Sequence, residues 1–129
     1  MKKNYKAALA LLAGITLGGA SIQVLHAQTK SAVPVYVVNE VDVTDQAGFR
    51  TYSERQEVLI KKNGGRYIIR GGKINAIDGT PPKRFTIYVF DDVEKLQSWQ
   101  NDPAQKELMA MRSKIAKFRS FAVEGISNE

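Results

Sequence analysis

The chain contains no cysteine, and its single histidine, His26, lies near the N-terminus. The absence of thiols excludes disulfide bonds and cysteine nucleophiles, so the fold must be held by packing and hydrogen bonds. After His26 no imidazole can act as a general base or bind zinc or haem iron. Catalysis by Ser-His-Asp or Cys-His groups is therefore excluded from the rest of the chain. The acidic residues do not match the spacing of a calcium-binding loop, and we expect no metal and no cofactor.

The first 27 residues are typical of a secretory signal peptide. Three lysines precede an uncharged apolar run over residues 7–20, and Ala27 offers a cleavage site. Cleavage after Ala20 is an alternative. Retention as a membrane anchor is a third possibility, although the run is shorter than the ~20 residues of a spanning helix. We expect a signal peptide over residues 1–27, a leader over residues 28–34, and a periplasmic or secreted domain that meets a membrane only if the signal is uncleaved.

The basic charge of the chain is concentrated in the predicted signal. The whole sequence has 19 basic and 13 acidic residues, a formal net charge of +6. The first 27 residues hold three lysines and no acid, which leaves a net charge of +3 for the remainder. These bases are scattered rather than clustered, so we expect no nucleic-acid partner.

Patterns of apolar residues predict the secondary structure of the remaining chain. Strands are predicted over residues 35–43, 66–73, 83–90 and 118–126, from their β-branched and aromatic content. A first helix, capped by Thr44 or Asp45, should end at Asn63-Gly64 and bury one stripe. That stripe is Phe49, Tyr52, Gln56, Leu59 and Ile60.

A second helical region follows the third strand. Asp91 and Glu94 form a capping box that predicts its start, and Asp102-Pro103 should end one helix and begin another. The apolar residues expected on its inner side are Val93, Leu96, Trp99, Ala104, Leu108, Met111 and Ile115.

The order βαββαβ in about 95 residues predicts an α+β, ferredoxin-like fold, with a four-stranded antiparallel sheet and helices on one face. Four valines of the first strand, Val35, Val37, Val41 and Val43, share a face with Asn39. The face away from the helices is expected to be partly apolar and aromatic, through Tyr36, Val38, Tyr88 and Phe90. A second copy of the chain is the simplest cover for such a face. We therefore expect a homodimer in the form of a dimeric α/β barrel, with a cavity beside or between the sheets.

A series of short motifs runs in order along residues 35–125. They are Tyr36-Val37-Val38 with Glu40, Tyr52, Gly64-Gly65-Arg66-Tyr67, Arg70-Gly71-Gly72, Arg84, Trp99, Asp102-Pro103, Arg112 and Val123-Glu124-Gly125. In this order and spacing the chain resembles the bacterial family called domain of unknown function 1330, of the dimeric α/β-barrel superfamily. The resemblance implies the fold and not an activity, since the family has no settled activity. The family usually has a tyrosine two residues after the proline, where this chain has Gln105 and therefore lacks that phenol.

Five residues are candidate ligand-binding residues: Glu40, Tyr52, Arg70, Trp99 and Arg112. Glu40 and Arg70 are both predicted on the face away from the helices. There they would either form the charged floor of a cavity, with Arg70 binding a carboxylate or enolate, or form a structural salt bridge. Tyr52 and Trp99 would either line the cavity or pack in the core. Arg112 would either reach the cavity mouth or remain solvated at the helix edge.

Three hypotheses of function follow. The first is a binding protein for a small, partly apolar or anionic ligand. The second, by analogy of fold, is a cofactor-independent oxygenase or isomerase in which Glu40 is the base and Arg70 stabilises negative charge. The third is a stress-related envelope protein that only self-associates. All three share the homodimer, and the sequence leaves open whether the protein is an enzyme.

Overall fold

The computed structural model describes residues 32–127, so the predicted signal peptide and most of the leader lie outside the described residues. The elements are β1 (Val35–Val43), α1 (Gln46–Lys62), β2 (Arg66–Arg70), β3 (Arg84–Phe90), α2 (Val93–Asn101), α3 (Pro103–Ile115) and β4 (Ala116–Glu124). They form one four-stranded sheet in the order β2-β3-β1-β4, in which every neighbouring pair is antiparallel. The predicted α+β, ferredoxin-like fold is confirmed. None of the helices in this part of the chain is long and apolar enough to cross a membrane.

The first helix follows its sequence signals closely. The Asp45 side chain caps it by accepting a hydrogen bond from the Gly48 N–H at 3.1 Å. Asn63 ends it, and Gly64 then adopts a φ of 81°, which a residue with a Cβ rarely does. The five residues of the predicted stripe, Phe49, Tyr52, Gln56, Leu59 and Ile60, are all buried.

The start of the second helix differs from the prediction by one residue. Asp92, not Asp91, caps α2, and it accepts a hydrogen bond from the Lys95 N–H at 2.8 Å. Asp91 instead pairs with the Lys95 ammonium at 3.0 Å. This shift turns Val93 outward, where it is 46% exposed, so its predicted inner position is wrong. Asp102 caps α3 ahead of Pro103 as predicted.

Two strand ends also differ from their predicted positions. The second strand ends at Arg70 because Gly71 and Gly72 both have positive φ, 70° and 98°. The fourth strand begins at Ala116, directly after α3, and ends at Glu124. The chain between β2 and β3 closes their antiparallel hairpin.

The register of the sheet decides which side chains meet the helices. Val37 of β1 lies opposite Tyr88, and Val35 lies opposite Phe90. Residues that lie opposite each other share a face, so Tyr88 and Phe90 pack with the helices. The prediction that they lie on the face away from the helices is wrong.

A different set of side chains forms the sheet face away from the helices, which we call the open face. On this face Tyr36 lies opposite Val89 of β3 and Val123 of β4. Val38 lies opposite Ile87 of β3 and Phe121 of β4. Phe121 and Val123, from the edge strand, are 50% and 47% exposed. The predicted apolar and aromatic character of this face therefore holds, although β3 contributes other residues to it.

Candidate ligand cavity

A cavity of about 340 Å³ lies between the sheet and the two consecutive helices α2 and α3. Its floor includes β1, β3 and β4 residues on the helical face, Val37, Asn39, Tyr88, Ser120 and Ala122, and Phe121 of β4 also lines it. Its walls include Leu96, Trp99 and Gln100 of α2, and Gln105, Met109 and Arg112 of α3. Both walls thus come from two consecutive helices. Asp102, in an extended conformation, ends α2 and caps α3, so the chain changes direction between the two walls.

A line of hydrogen bonds crosses the floor of the cavity. The Arg112 Nη2 donates to the Ser120 Oγ at 2.7 Å, and that hydroxyl donates to the Asn39 Oδ1 at 2.6 Å. The other terminal nitrogen of Arg112 lies 3.0 Å from the Met109 sulfur, and the guanidinium lies 3.9 Å above the ring of Phe118. These contacts hold the guanidinium in one place on the cavity wall.

The charge of the cavity comes from one side chain. Of the described residues that line it, Arg112 alone is charged. Arg112 forms no salt bridge within residues 32–127. The cavity is therefore positive, with no carboxylate of the described chain to neutralise it.

Gln105, which lines the same cavity, has an unused hydrogen-bond acceptor. Its side chain is 3% exposed, and its Oε1 has no hydrogen-bond partner among residues 32–127. It lies in the first turn of α3, so Met109 is one turn further along the helix and Arg112 two turns further. The cavity is thus lined by a cation and, two helical turns away, by a glutamine whose amide oxygen has no partner among residues 32–127.

The aromatic wall is fixed by a buried hydrogen-bond chain. The Trp99 Nε1 donates to the Gln56 Oε1 at 3.1 Å, and the Gln56 Nε2 donates to the Tyr52 hydroxyl at 3.2 Å. Tyr88 packs edge-on against Trp99 with ring centroids 5.3 Å apart. Burial raises the pKa of Tyr52, while the nearby Arg112 charge and the Gln56 hydrogen bond act in the opposite direction. Burial also raises the pKa of Tyr88, so both phenols stay protonated at neutral pH.

The structure brings some of the predicted site residues together. Trp99 and Arg112 line the cavity directly. Tyr52 lies behind it, in contact with Trp99 through Gln56, and borders a much smaller space of about 20 Å³. Trp99 was predicted either to pack in the core or to line the cavity, and it does both.

Glu40 and Arg70 do not meet, and their predicted common face is wrong. Glu40 lies on the open face, 3.4 Å from the Arg119 Nε. Arg70 turns to the helical face, where it pairs with Glu57 of α1 at 2.6 Å and lies 4.7 Å above the Tyr67 ring. The cause is a register shift between Tyr67 and Ile69, which inserts one extra residue and reverses the alternation of side chains beyond it. The Arg70 hydrogen bond also lowers the pKa of the Glu57 carboxyl.

The cavity residues that were not predicted as site residues include three with polar side chains, Asn39, Gln105 and Ser120. Asn39 carried a signal, because it is the single polar residue in the valine face of β1. Gln105 also carried a signal, because the resembled family usually has a tyrosine at this position. Ser120 carried none. Among the described residues there is no group of three or more His, Cys, Asp or Glu side chains that could hold a metal ion.

Comparison with known proteins finds a family and a fold. Residues 34–126 match the family model described as Domain of unknown function (DUF1330). A protein of unknown function from Rhodopseudomonas palustris has a similar structure, with a TM-score of 0.63 and 12% identity over 82% of this chain and 92% of that chain. SnoaB, described as a cofactor-independent oxygenase from Streptomyces nogalater, has a TM-score of 0.52 and 14% identity over 75% of this chain and 97% of its own. Identities this low show the fold alone, and a search of curated proteins finds no match.

Proposed function

Since this chain belongs to the DUF1330 family over residues 34–126, a family without an assigned activity, its function has to be argued from its own cavity, and we propose that it binds a small, partly apolar anion there. The observation that carries the proposal is the single charge of the cavity wall. Arg112 lines the cavity, and no described lining residue is acidic.

The chemistry of Arg112 favours an anionic ligand. A guanidinium has five N–H donors in a planar fork that matches a carboxylate. One of these donors is used on Ser120, and another is directed at the Met109 sulfur, which is only a weak acceptor. A cation partly removed from water is stabilised when an anion pairs with it. A ligand carboxylate would supply the missing negative charge.

The rest of the wall favours an apolar body on that ligand. Leu96, Trp99 and Met109 offer aliphatic, aromatic and thioether surface around the cavity. The volume of about 340 Å³ falls at the lower end of the range typical of small-molecule pockets. A ligand of the size of an aromatic acid matches both the space and the surface.

The proposal is tested by calorimetry with benzoate, phenylacetate and the neutral amide benzamide. We expect the two acids to bind the purified protein and benzamide to bind about tenfold more weakly or not at all, because it lacks the charge. Arg112→Gln should remove the preference for the acids. Lys106→Gln removes a positive charge from an exposed position of the same helix and should leave binding unchanged. Equal binding of acid and amide, or no binding of any of the three, would contradict the proposal.

No specific observation favours the oxygenase or isomerase hypothesis. SnoaB is described as a cofactor-independent oxygenase, but a shared fold hosts many unrelated activities. The two residues assigned to that chemistry, Glu40 and Arg70, lie on opposite faces of the sheet and are each paired with another residue. The binding function is therefore the one that the cavity supports best.

The proposal includes a location and an assembly. The lysines, apolar run and Ala27 of the N-terminal segment support export to the periplasm or medium. Cell fractionation, with mass spectrometry of the mature N-terminus, should find the protein outside the cytoplasm and beginning at Gln28.

The exposed apolar side chains of the open face support a homodimer in which a second copy of the chain covers that face. Both expectations are independent of the ligand.

A further inference from the structure

We infer that the ligand of the cavity is an elongated hydroxylated carboxylate, whose anionic end pairs with Arg112 and whose hydroxyl, at the far end, donates a hydrogen bond to the Gln105 amide oxygen. The inference rests on the proposed function, because it names the ligand class of the same cavity. It adds a second polar contact and a direction to the bound molecule.

The first step is the state of Gln105. Its amide oxygen is buried and without a partner among residues 32–127, although the side chain lines a cavity with room for a ligand. Buried amide oxygens in folded proteins almost always accept a hydrogen bond, since leaving one unpaired is costly. The oxygen can only accept, so the matching ligand group must be a donor such as a hydroxyl.

The second step is the distance between the two polar ends. Gln105 and Arg112 are seven residues apart in α3, which places them on the same side of the helix and about 10 Å apart along its axis. The Arg112 guanidinium lies 3.0 Å from the Met109 sulfur, so it leans back towards Gln105. A carboxylate and a hydroxyl at opposite ends of one conjugated molecule would span this interval.

The third step is the surface between the two ends. Met109 separates Gln105 from Arg112 on α3, and Leu96 and Trp99 of α2 line the same cavity. These side chains have no free donor, because the Trp99 indole N–H is already bonded to Gln56. The middle of the ligand should therefore be flat and apolar, as in a phenylpropenoate.

The test compares three acids of one shape: 4-hydroxycinnamate, cinnamate and 4-methoxycinnamate. All have the carboxylate, but only the first has a donor at the far end. By calorimetry on the purified protein we expect 4-hydroxycinnamate to bind about tenfold more tightly than the other two, since they leave the Gln105 oxygen unpaired. Equal affinity of the three acids would overturn the inference while leaving the proposed function intact. Failure of all three to bind would overturn both.

Two variants locate the effect. Gln105→Leu should reduce the advantage of 4-hydroxycinnamate to within about twofold, because leucine has no acceptor to leave unpaired. Gln97→Leu, the same substitution at an exposed position of α2, should keep the advantage. A full advantage that persists in Gln105→Leu would contradict the assignment to Gln105. The comparison of the hydroxy and methoxy acids in the unmodified protein needs no variant, so it decides the inference even if Gln105→Leu does not fold.

Discussion

Gln56 lies at the centre of the buried chain that connects the first helix to the cavity wall, and its replacement by leucine is the most informative perturbation of the fold. The side chain is 1% exposed. Its oxygen accepts from the Trp99 indole at 3.1 Å, and its nitrogen donates to the Tyr52 hydroxyl at 3.2 Å. Leucine fills a similar volume but can form neither bond.

The expected loss follows from those two contacts. Each hydrogen bond contributes about 1 kcal/mol net, and a buried donor left without a partner costs about 1–3 kcal/mol. The Trp99 indole N–H would be such a donor, because Trp99 is buried. The added apolar burial of leucine offsets part of this cost. We expect the free energy of unfolding to fall by about 2–3 kcal/mol, which for a domain of this size lowers the Tm by roughly 10–20 °C.

The assay is urea denaturation followed by the fluorescence of Trp99, the one tryptophan of the sequence. Gln97→Leu is the matched control at an exposed position, and it should change the free energy of unfolding by less than about 0.5 kcal/mol. Tyr52→Phe should cost about 1–3 kcal/mol, since it removes one of the two bonds and leaves the buried Gln56 amide N–H without its acceptor. If Gln56→Leu is no more destabilising than Gln97→Leu, the buried chain does not stabilise the protein and the reasoning fails.

Three further predictions concern the core, the pH dependence and the open face. Leu108→Ala, at a fully buried position of α3, should lower the free energy of unfolding by about 2–5 kcal/mol in the same assay, and a loss below about 1 kcal/mol would contradict its burial. Burial raises the pKa of Tyr67 to about 12. Because an unfolded tyrosine titrates near 10, its contribution to stability should be complete below about pH 10 and be lost as the pH rises towards 12. Denaturation at pH 8 to 11 should show this fall in the free energy of unfolding, and Tyr67→Phe should make it smaller. If the free energy falls equally steeply with pH in the variant, the fall comes from a group other than Tyr67. Phe121→Lys should convert the proposed dimer to a monomer in light scattering at micromolar concentration, and a dimer that survives the substitution would place the interface on another surface.

Local signals in the sequence predicted most of the secondary structure. The stripe of α1, its Asp45 cap and its end at Asn63-Gly64 all depend on residues within a few positions of one another. The same holds for the Asp102-Pro103 junction of α2 and α3. Such signals act over one or two turns of the chain, so they can be read without knowing the tertiary fold.

Faces of strands were predicted less well, because they depend on register. A shift by one residue moves every side chain of a strand to the other face. The extra residue between Tyr67 and Ile69 moves Arg70 to the helical face instead of the predicted open face. The pairing of β3 with β1 likewise places Tyr88 and Phe90 on the helical face. For this reason Glu40 and Arg70 do not form the predicted site.

By itself the sequence determined the element order, the α+β fold, the family resemblance and two of the cavity residues, Trp99 and Arg112. The tertiary structure decided the site itself. Asn39, Gln105 and Ser120 come from β1, α3 and β4, and they meet at one cavity only because the sheet register and the turn at Asp102-Pro103 bring them together. No local pattern encodes such a convergence, since it joins residues up to 81 positions apart through packing.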